Sequence, residues 1–326
     1  MILLLSRQDD GSTAFVVQWL LYLNKKYKRL NGDTDRVKIV GVDMQSDAFI
    51  LEENGNTFNL FDFDSVWYRR RGMSIKNTQA DTGLLNEVLF TDNEHYHKRH
   101  VNEELKELIA YAHHIVEKKS TRQLGGHMTS AVNKFKVLDL ARDCGLKIPK
   151  TFVVTSKDEI LKIMEKEGNV VTKAMSQGIY FFTRKRHYYS YTERLTPDAV
   201  RQLPDVFFPS LLQAEIKKKY ELRIFFLKEE YYAMAIFSQN DSKTEVDFRK
   251  KTEDSQVRNV PYRLPEHIRE KLIEVAAKLR LDTGSFDMIV DTDNNYIFLE
   301  VNPLGQFSMT SFPCNYYLEK KIAETL

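Results

Sequence analysis

The sequence predicts a mixed α/β (α+β) protein in which a small α/β unit opens the chain and an antiparallel sheet closes it. Three observations carry the prediction. The opening "MILLLS" is a strand-like apolar run, and a cappable helical stretch follows it. From Leu211 the chain is mostly strand-like, with "LLQAEI", "ELRIFFL" and "YYAMAIF" in succession and one strong helix after them. Finally, "FDMIV" and "YIFLEV" flank the turn-forming "DTDNN", which reads as a hairpin.

In chain order, Ile2–Ser6 is the first strand, and Ser12 or Thr13 is expected to cap the helix through "FVVQWLLYLNKKY". The lysines at its end suit a helix C-terminus. "VKIVGVDM", "AFILEEN" and "SVWYRRR" read as further strands, and a long helix from Asn93 to Lys118 carries Leu105, Leu108, Ile109, Ala112 and Ile115 at helical spacing. The polar "KKSTRQLGGHMTS" is the expected linker. Beyond it "SAVNKFKVLDLARDCGLKIPKTFVVT" reads as a capped helix, a stop at Gly145 and a strand opened by Pro149. A helix over Lys157–Glu167 ends at Gly168, and "NVVTKAM" and "GIYFFTRKR" follow as strands. The helix Pro265–Arg280 leads into the hairpin, and a last helix is expected over Asn315–Ala323. The expected division is 1–120, 121–210 and 211–326.

With 326 residues the chain can form two or three units with real cores. It is 42% hydrophobic and 29% charged, with no run near membrane-span length, so a soluble globular protein is expected. The opening is too short and too quickly acidic for a secretory signal. Only two cysteines, Cys144 and Cys314, fit a reducing cytoplasm. A net charge of +2 argues against nucleic acid as a partner. The positive charge is clumped at Arg69, Arg70 and Arg71, at Arg184, Lys185 and Arg186, and at Lys217 to Lys219. Such clusters are solvated surface or anion contacts.

The hairpin carries the chemistry. If Asp291 pairs with Tyr296, then Phe286, Met288 and Val290 oppose Val301, Leu299 and Ile297 on an apolar face. Asp287 then stands opposite Glu300 on the other face, with Ile289 and Phe298 beside them and Asn302 two residues on. Opposed carboxylates need a cation between them, and this oxygen set suits Mg²⁺; the alternative is a solvated hairpin face. Cations that could serve an anionic ligand are spread along the chain: Lys134 at a helix start, Lys173 in an apolar strand and Arg223 in "YELRIFFL". Gly178, in a flexible loop, could bring backbone N–H groups over a phosphate. "HYHKRH" has no metal-site spacing.

These pieces together resemble an ATP-grasp ligase across Thr129–Phe307, preceded by a unit similar to that family's N-terminal α/β domain. The matching stretches are "NKFKVLDLARDCGLKIPKT", "VVTKAMSQG", "LQAEIKKKYELRIFFL" and the D…LEVNP hairpin. The resemblance implies an ATP-grasp fold with an N-terminal domain, a central lid and a C-terminal antiparallel-sheet domain. It implies ATP phosphates on Lys134, Lys173 and Arg223, adenine at a hinge of Gln213, Glu215 and Ile216, ribose on Glu221, and Mg²⁺ on Asp287, Glu300 and Asn302. The hinge "QAEI" carries its acid one place later than the common "QEYI", so Glu215 meets the nucleotide either by side chain or by backbone.

Within the superfamily the chain is most similar to graspetide synthetases, the microviridin-type peptide macrocyclases, through "WYRRR", "DFRK" (Asp247–Lys250) and "EVNPLGQF". That likeness implies a ribosomal precursor peptide, leader plus acidic core, whose Asp or Glu side chains are activated as acyl phosphates and joined to Thr, Ser or Lys. Arg249 is the expected grip on the acyl phosphate or core, and Asp247 the expected base, with a plain loop ion pair as the alternative. The "YFFTRKRHYYSY" hairpin suits leader docking, and Arg69, Arg70, Arg71, Arg184, Lys185 and Arg186 are the expected contacts of the substrate peptide. Dimerisation is common in ATP-grasp relatives. Two other readings stay open: a ligase adding free amino acids to a peptide or protein, and a nucleotide- or peptide-binding module without turnover.

Overall fold

A computed structural model describes residues 1–34, 36–70, 72–73, 75, 93–127, 132–176, 178, 180–183, 187–189, 191–239, 246–250 and 257–326. It contains two compact units, Met1–Ser130 with Tyr317–Leu326, and Ala131–Tyr316.

The first unit opens with β1 (Ile2–Ser6), α1 (Gly11–Tyr22) and β2 (Tyr27–Asn31). An antiparallel sheet of β3 (Val37–Asp43), β4 (Ala48–Glu53) and β5 (Asn56–Asn59) follows. Then come β6 (Ser65–Tyr68), the helix α2 (Asn93–Lys119) and β7 (Arg122–Leu124). A parallel sheet has the order β2-β1-β6-β7. Every residue of β1 is buried, as expected of a parallel strand covered on both faces. Leu3 and Leu5 share a cluster with Phe49, Leu51, Ile115 and Val116; a side chain of this size buried outright contributes about 1.5–3 kcal/mol.

Five details differ from the sequence reading. The cap of α1 is Asp10, whose side chain accepts the Ser12 N–H at 3.1 Å. Ser12 and Thr13 have other bonds: Arg69 donates to Ser12 Oγ at 2.8 Å, and Thr13 bonds Ser6 at 2.7 Å. The helix ends at Tyr22, because Asn24 takes a left-handed φ of 53° and the chain returns as β2. Lys25, expected to serve the end of α1, instead donates to Ala323 O at 2.9 Å and Glu324 O at 3.1 Å, the carbonyl end of α8 (Leu318–Thr325). The helix expected over Asn315–Ala323 is α8, which starts only at Leu318 because Asn315 and Tyr317 are both left-handed, and an unexpected helix, α7 (Ser308–Cys314), precedes that break. Part of the expected linker is β7, paired to β6.

In the second unit α3 (Lys134–Asp143) precedes a four-stranded sheet with helices α4 (Lys157–Glu167) and α5 (Pro197–Arg201). Its strands are β8 (Thr151–Ser156), β9 (Val170–Thr172), β12 (Glu193–Leu195) and β13 (Val206–Ala214), ordered β12-β9-β13-β8. The pair β10 (Tyr180–Phe182) and β11 (His187–Tyr189) forms the expected hairpin, with Tyr180 opposite Tyr189. The second sheet comprises β14 (Lys218–Leu227), β15 (Glu230–Phe237), β16 (Arg258–Tyr262), β17 (Thr283–Asp291) and β18 (Tyr296–Asn302). Its order is β16-β15-β14-β17-β18, antiparallel throughout. One face packs on α3 and α6 (Glu266–Lys278) through Leu222, Ile224, Phe226, Phe286 and Met288.

The acid-bearing hairpin of β17 and β18 holds its expected register at one end only. Phe286 opposes Val301 and Asp287 opposes Glu300, but a bulge then shifts the pairing to Met288 with Phe298 and Val290 with Tyr296. Leu299 is the extra residue. The shift exchanges two side chains between faces: Phe298 enters the core, fully buried, while Leu299 joins Ile289 on the face that carries the acids.

Candidate active site

The acid-bearing face of the second sheet and the four-stranded sheet border a cavity of about 270 Å³. Its chemistry is divided. One end gathers Lys134, Lys173, Arg223, Asp287, Glu300 and Asn302; the lining also includes the apolar Pro149, Val171, Ile216, Ile289 and Leu299.

Strand pairing builds the charged end. Arg223 opposes Asp287 across β14 and β17, Asp287 opposes Glu300 across β17 and β18, and Ser285 opposes Asn302. Arg223 Nη1 lies 3.3 Å from Asp287 Oδ1. Lys134, the first residue of α3, reaches Glu300 Oε2 at 3.3 Å and donates to Ala174 O at 3.0 Å. Lys173, just past β9, stands 4.0 Å from the same carboxylate oxygen. Burial drives the Asp287 carboxyl up despite the pull of Arg223. Burial also works against Glu300, but Lys173 and Lys134 outweigh it and hold that carboxyl below its ordinary value. Burial lowers the Lys173 ammonium against the pull of Glu300.

Two features fit a phosphate-bearing ligand with a hard cation. Arg223 Nε is buried and has no acceptor among the described residues. Asp287 is a half-buried carboxylate whose pairing with Arg223 does not offset its desolvation, and Asn302 Oδ1, oriented by the Leu304 N–H at 3.1 Å, has a lone pair to spare. Two carboxylates and an amide oxygen are hard donors that suit Mg²⁺. Among the described residues no cluster of three His, Cys, Asp or Glu stands in metal-binding array, which leaves this mixed set as the candidate.

Gly178, Gln213, Glu215, Ile216 and Glu221 also line the cavity. Glu221 is ion-paired with Lys218 and accepts from Ser238 Oγ at 3.5 Å; burial raises its carboxyl. Gln213 is nearly inaccessible and donates to Thr151 Oγ1 at 2.9 Å. The Glu215 carboxylate is held by Arg194, with Nε at 2.8 Å, so of the two modes the sequence leaves open, the side chain is already engaged.

At the mouth, Asp247 and Arg249 form a two-pronged pair, 2.9 Å from Nε and 2.6 Å from Nη2. Asp247 also accepts the Thr192 N–H at 3.0 Å. Burial pushes its carboxyl up, but the Arg249 bonds prevail and it lies below the ordinary range. A buried, doubly bonded, weakly basic carboxylate is poorly suited as a base. It is well suited to aim Arg249, which is half-exposed at 47%.

Of the basic clusters, Arg69 is buried rather than displayed: its Nε is 3.1 Å from Asp10, and it donates to Ser12. Arg70 also meets Asp10, at 2.8 Å, and is partly exposed. Arg71, Arg184, Lys185 and Arg186 lie outside the described residues. Sequence reasoning missed Arg194, Lys218 and Thr192. Only Lys218 left a trace, three residues before Glu221 in a cationic run.

A cleft between two antiparallel sheets, with cations and acids gathered in it, is the arrangement of the ATP-grasp class. A model of the RimK-like ATP-grasp domain matches residues 131–326, and the chain belongs to that family. Among solved structures it is similar to the macrocyclase MdnC of Microcystis aeruginosa MRC bound with precursor peptide MdnA. That pair shares 26% identity over 100% of this chain and 98% of the other, with a TM-score of 0.75. It is also similar to a RiPP-associated ATP-grasp ligase of Chryseobacterium gregarium in complex with ADP and a leader and core peptide: 24% identity, 99% and 94% covered, TM-score 0.76. A third, the ATP-grasp ligase PsnB complexed with a minimal precursor variant, Mg and ADP, shares 14% identity over 99% and 96%, TM-score 0.69. Comparison by sequence with curated proteins finds no match. Among the described residues no helix is long and apolar enough to cross a membrane.

Proposed function

We propose that this protein is an ATP-dependent peptide macrocyclase, an ADP-forming ligase. It activates Asp or Glu side chains of a ribosomal precursor peptide and joins them to Thr or Ser hydroxyls, or to Lys amines, of the same peptide. The observation that carries this reading is the cavity with its phosphate-suited end, in a chain that matches peptide-modifying ATP-grasp ligases along its whole length.

A substrate carboxylate oxygen attacks the γ-phosphorus of ATP; the bond to the bridging oxygen breaks, ADP leaves and an acyl phosphate remains. The hydroxyl or amine then attacks the acyl carbon, phosphate leaves, and the nucleophile loses its proton. Lys134, Lys173 and Arg223 stabilise charge on the transferred group. Mg²⁺ held by Asp287, Glu300 and Asn302 would neutralise and align the phosphates. Gln213, Ile216 and the backbone at Glu215 hold the base, and Glu221 the ribose. Asp247 aims Arg249 at the acyl phosphate or the acidic core. Holding both reacting side chains in one peptide makes ring closure effectively unimolecular. The leader docks at the β10–β11 hairpin, near the basic residues Arg184, Lys185 and Arg186. We further assign a homodimer in the cytoplasm; both cysteines are unpaired and buried, as suits a reducing compartment.

The test is mass spectrometry of a Thr- and Asp/Glu-rich precursor peptide incubated with the protein, ATP and Mg²⁺. Loss of one water, about 18 Da, per bond is expected, and a drop of about 10²-fold or more in rate for Glu300→Gln. Addition of a residue mass instead would make the protein a free-amino-acid ligase, and no ATP turnover a binding module.

A further inference from the structure

In the second unit the chain passes from one sheet to the other through residues 215–217, and Glu215 and Ile216 border the cavity. Glu215 is committed twice. Its carboxylate takes Arg194 Nε at 2.8 Å and Nη2 in a second bond, and its N–H donates to Asn169 O at 2.8 Å. Arg194 sits on β12, at the edge of its sheet. It opposes Val171 of β9, which in turn opposes Gln213 of β13. Opposed residues share a face, and Glu215 lies two residues beyond Gln213. The guanidinium therefore reaches along one face of the sheet, past Val171, to fasten the start of the link. A planar fork on a carboxylate fixes direction as well as distance. The Glu215 side chain is 14% exposed and that of Arg194 35%, so water screens the pair only in part.

We propose that Arg194 is a positioning residue for nucleotide recognition: through Glu215 it holds the link so that backbone groups, and no side chain of Glu215, read the edge of the base. Arg194 has this role only if the cavity binds a nucleotide, as proposed above. Adenine presents an amino donor where guanine presents a carbonyl acceptor. A carbonyl held still by Arg194 accepts from the first and repels the second, whereas a loosened one adjusts to either. The charged end of the cavity is separate, so phosphoryl transfer at saturating ATP is independent of Arg194.

The experiment is calorimetric binding of ADP and GDP to the full chain, with KM for ATP and kcat on the precursor peptide. It compares wild type, Arg194→Gln, Arg194→Lys and the exchange Arg194→Glu with Glu215→Arg. For Arg194→Gln we expect ADP binding to weaken about tenfold, a parallel rise in KM, kcat within about twofold and a reduced preference for ADP over GDP. Arg194→Lys falls between, and the exchange recovers most of the affinity. Unchanged ADP binding in Arg194→Gln overturns the role of Arg194 while leaving the nucleotide site intact. Equal weakening of ADP and GDP, with a lowered Tm and no recovery in the exchange, makes the pair merely structural and overturns it too. A wild-type chain that binds neither nucleotide removes the nucleotide reading itself.

Discussion

Asp247 is 4% exposed and bonded to Arg249 by both oxygens, so removing either partner leaves the other misdirected. Asp247→Asn and Arg249→Gln are each expected to lower kcat/KM for the peptide about tenfold, and the double variant by little more. Losses that multiply would mean independent roles, with Asp247 acting chemically. At this scale the sequence was informative about identity and poor about environment. Lys173, Arg223, Asp287 and Glu300 could be singled out because charge inside apolar strands is conspicuous, and Lys134 because it starts a capped helix. That Arg69 is buried against Asp10 while Arg249 is half-exposed could not, since burial depends on residues distant in the chain.

The hairpin is the element that decides the site. The extra residue Leu299 turns its own side chain to the cavity and sends Phe298 into the core. Deleting Leu299 restores regular pairing without moving Phe298 from the core or Glu300 from Asp287. The deletion is therefore expected to fold, to keep the acid pair, and to weaken ADP binding about tenfold by removing one apolar wall. Calorimetry beside a thermal melt checks it: an unfolded deletion, or unchanged ADP affinity, refutes the division of labour between the bulge and the acids. The alternation of β17 was legible because period two needs only local sequence. The bulge in β18 was not, because two residues facing one leave no compositional mark.

For the molecule as a whole, the first unit carries a pH dependence distinct from the catalytic cavity. His113 is 2% exposed; its Nε2 accepts the Met73 N–H at 3.1 Å and its Nδ1 bonds Tyr68 at 3.0 Å. Burial, with His127 stacked 3.9 Å away, pushes the ring down to about 3. On unfolding it regains its ordinary value of 6.5. The folded state is thus favoured fully above pH 6.5, and the advantage is lost as pH falls from there towards about 3, at up to about 1.4 kcal/mol per pH unit. Melting curves from pH 7 to 5 should show a falling Tm in wild type and a flatter course in His113→Gln. Parallel courses would assign the acid sensitivity elsewhere.

The sequence alone determined the mixed α/β class, the order of most elements, and the kind of chemistry, because periodicity, turn residues and misplaced charges are local signals. Tertiary structure decided what those residues face. It committed the Glu215 carboxylate to Arg194, returned α8 to the first unit and placed Leu299 beside Ile289. Each of these joins parts of the chain through a sheet register, an ion pair or a helix end. Such partners are selected by packing in three dimensions, and neighbouring residues do not encode them.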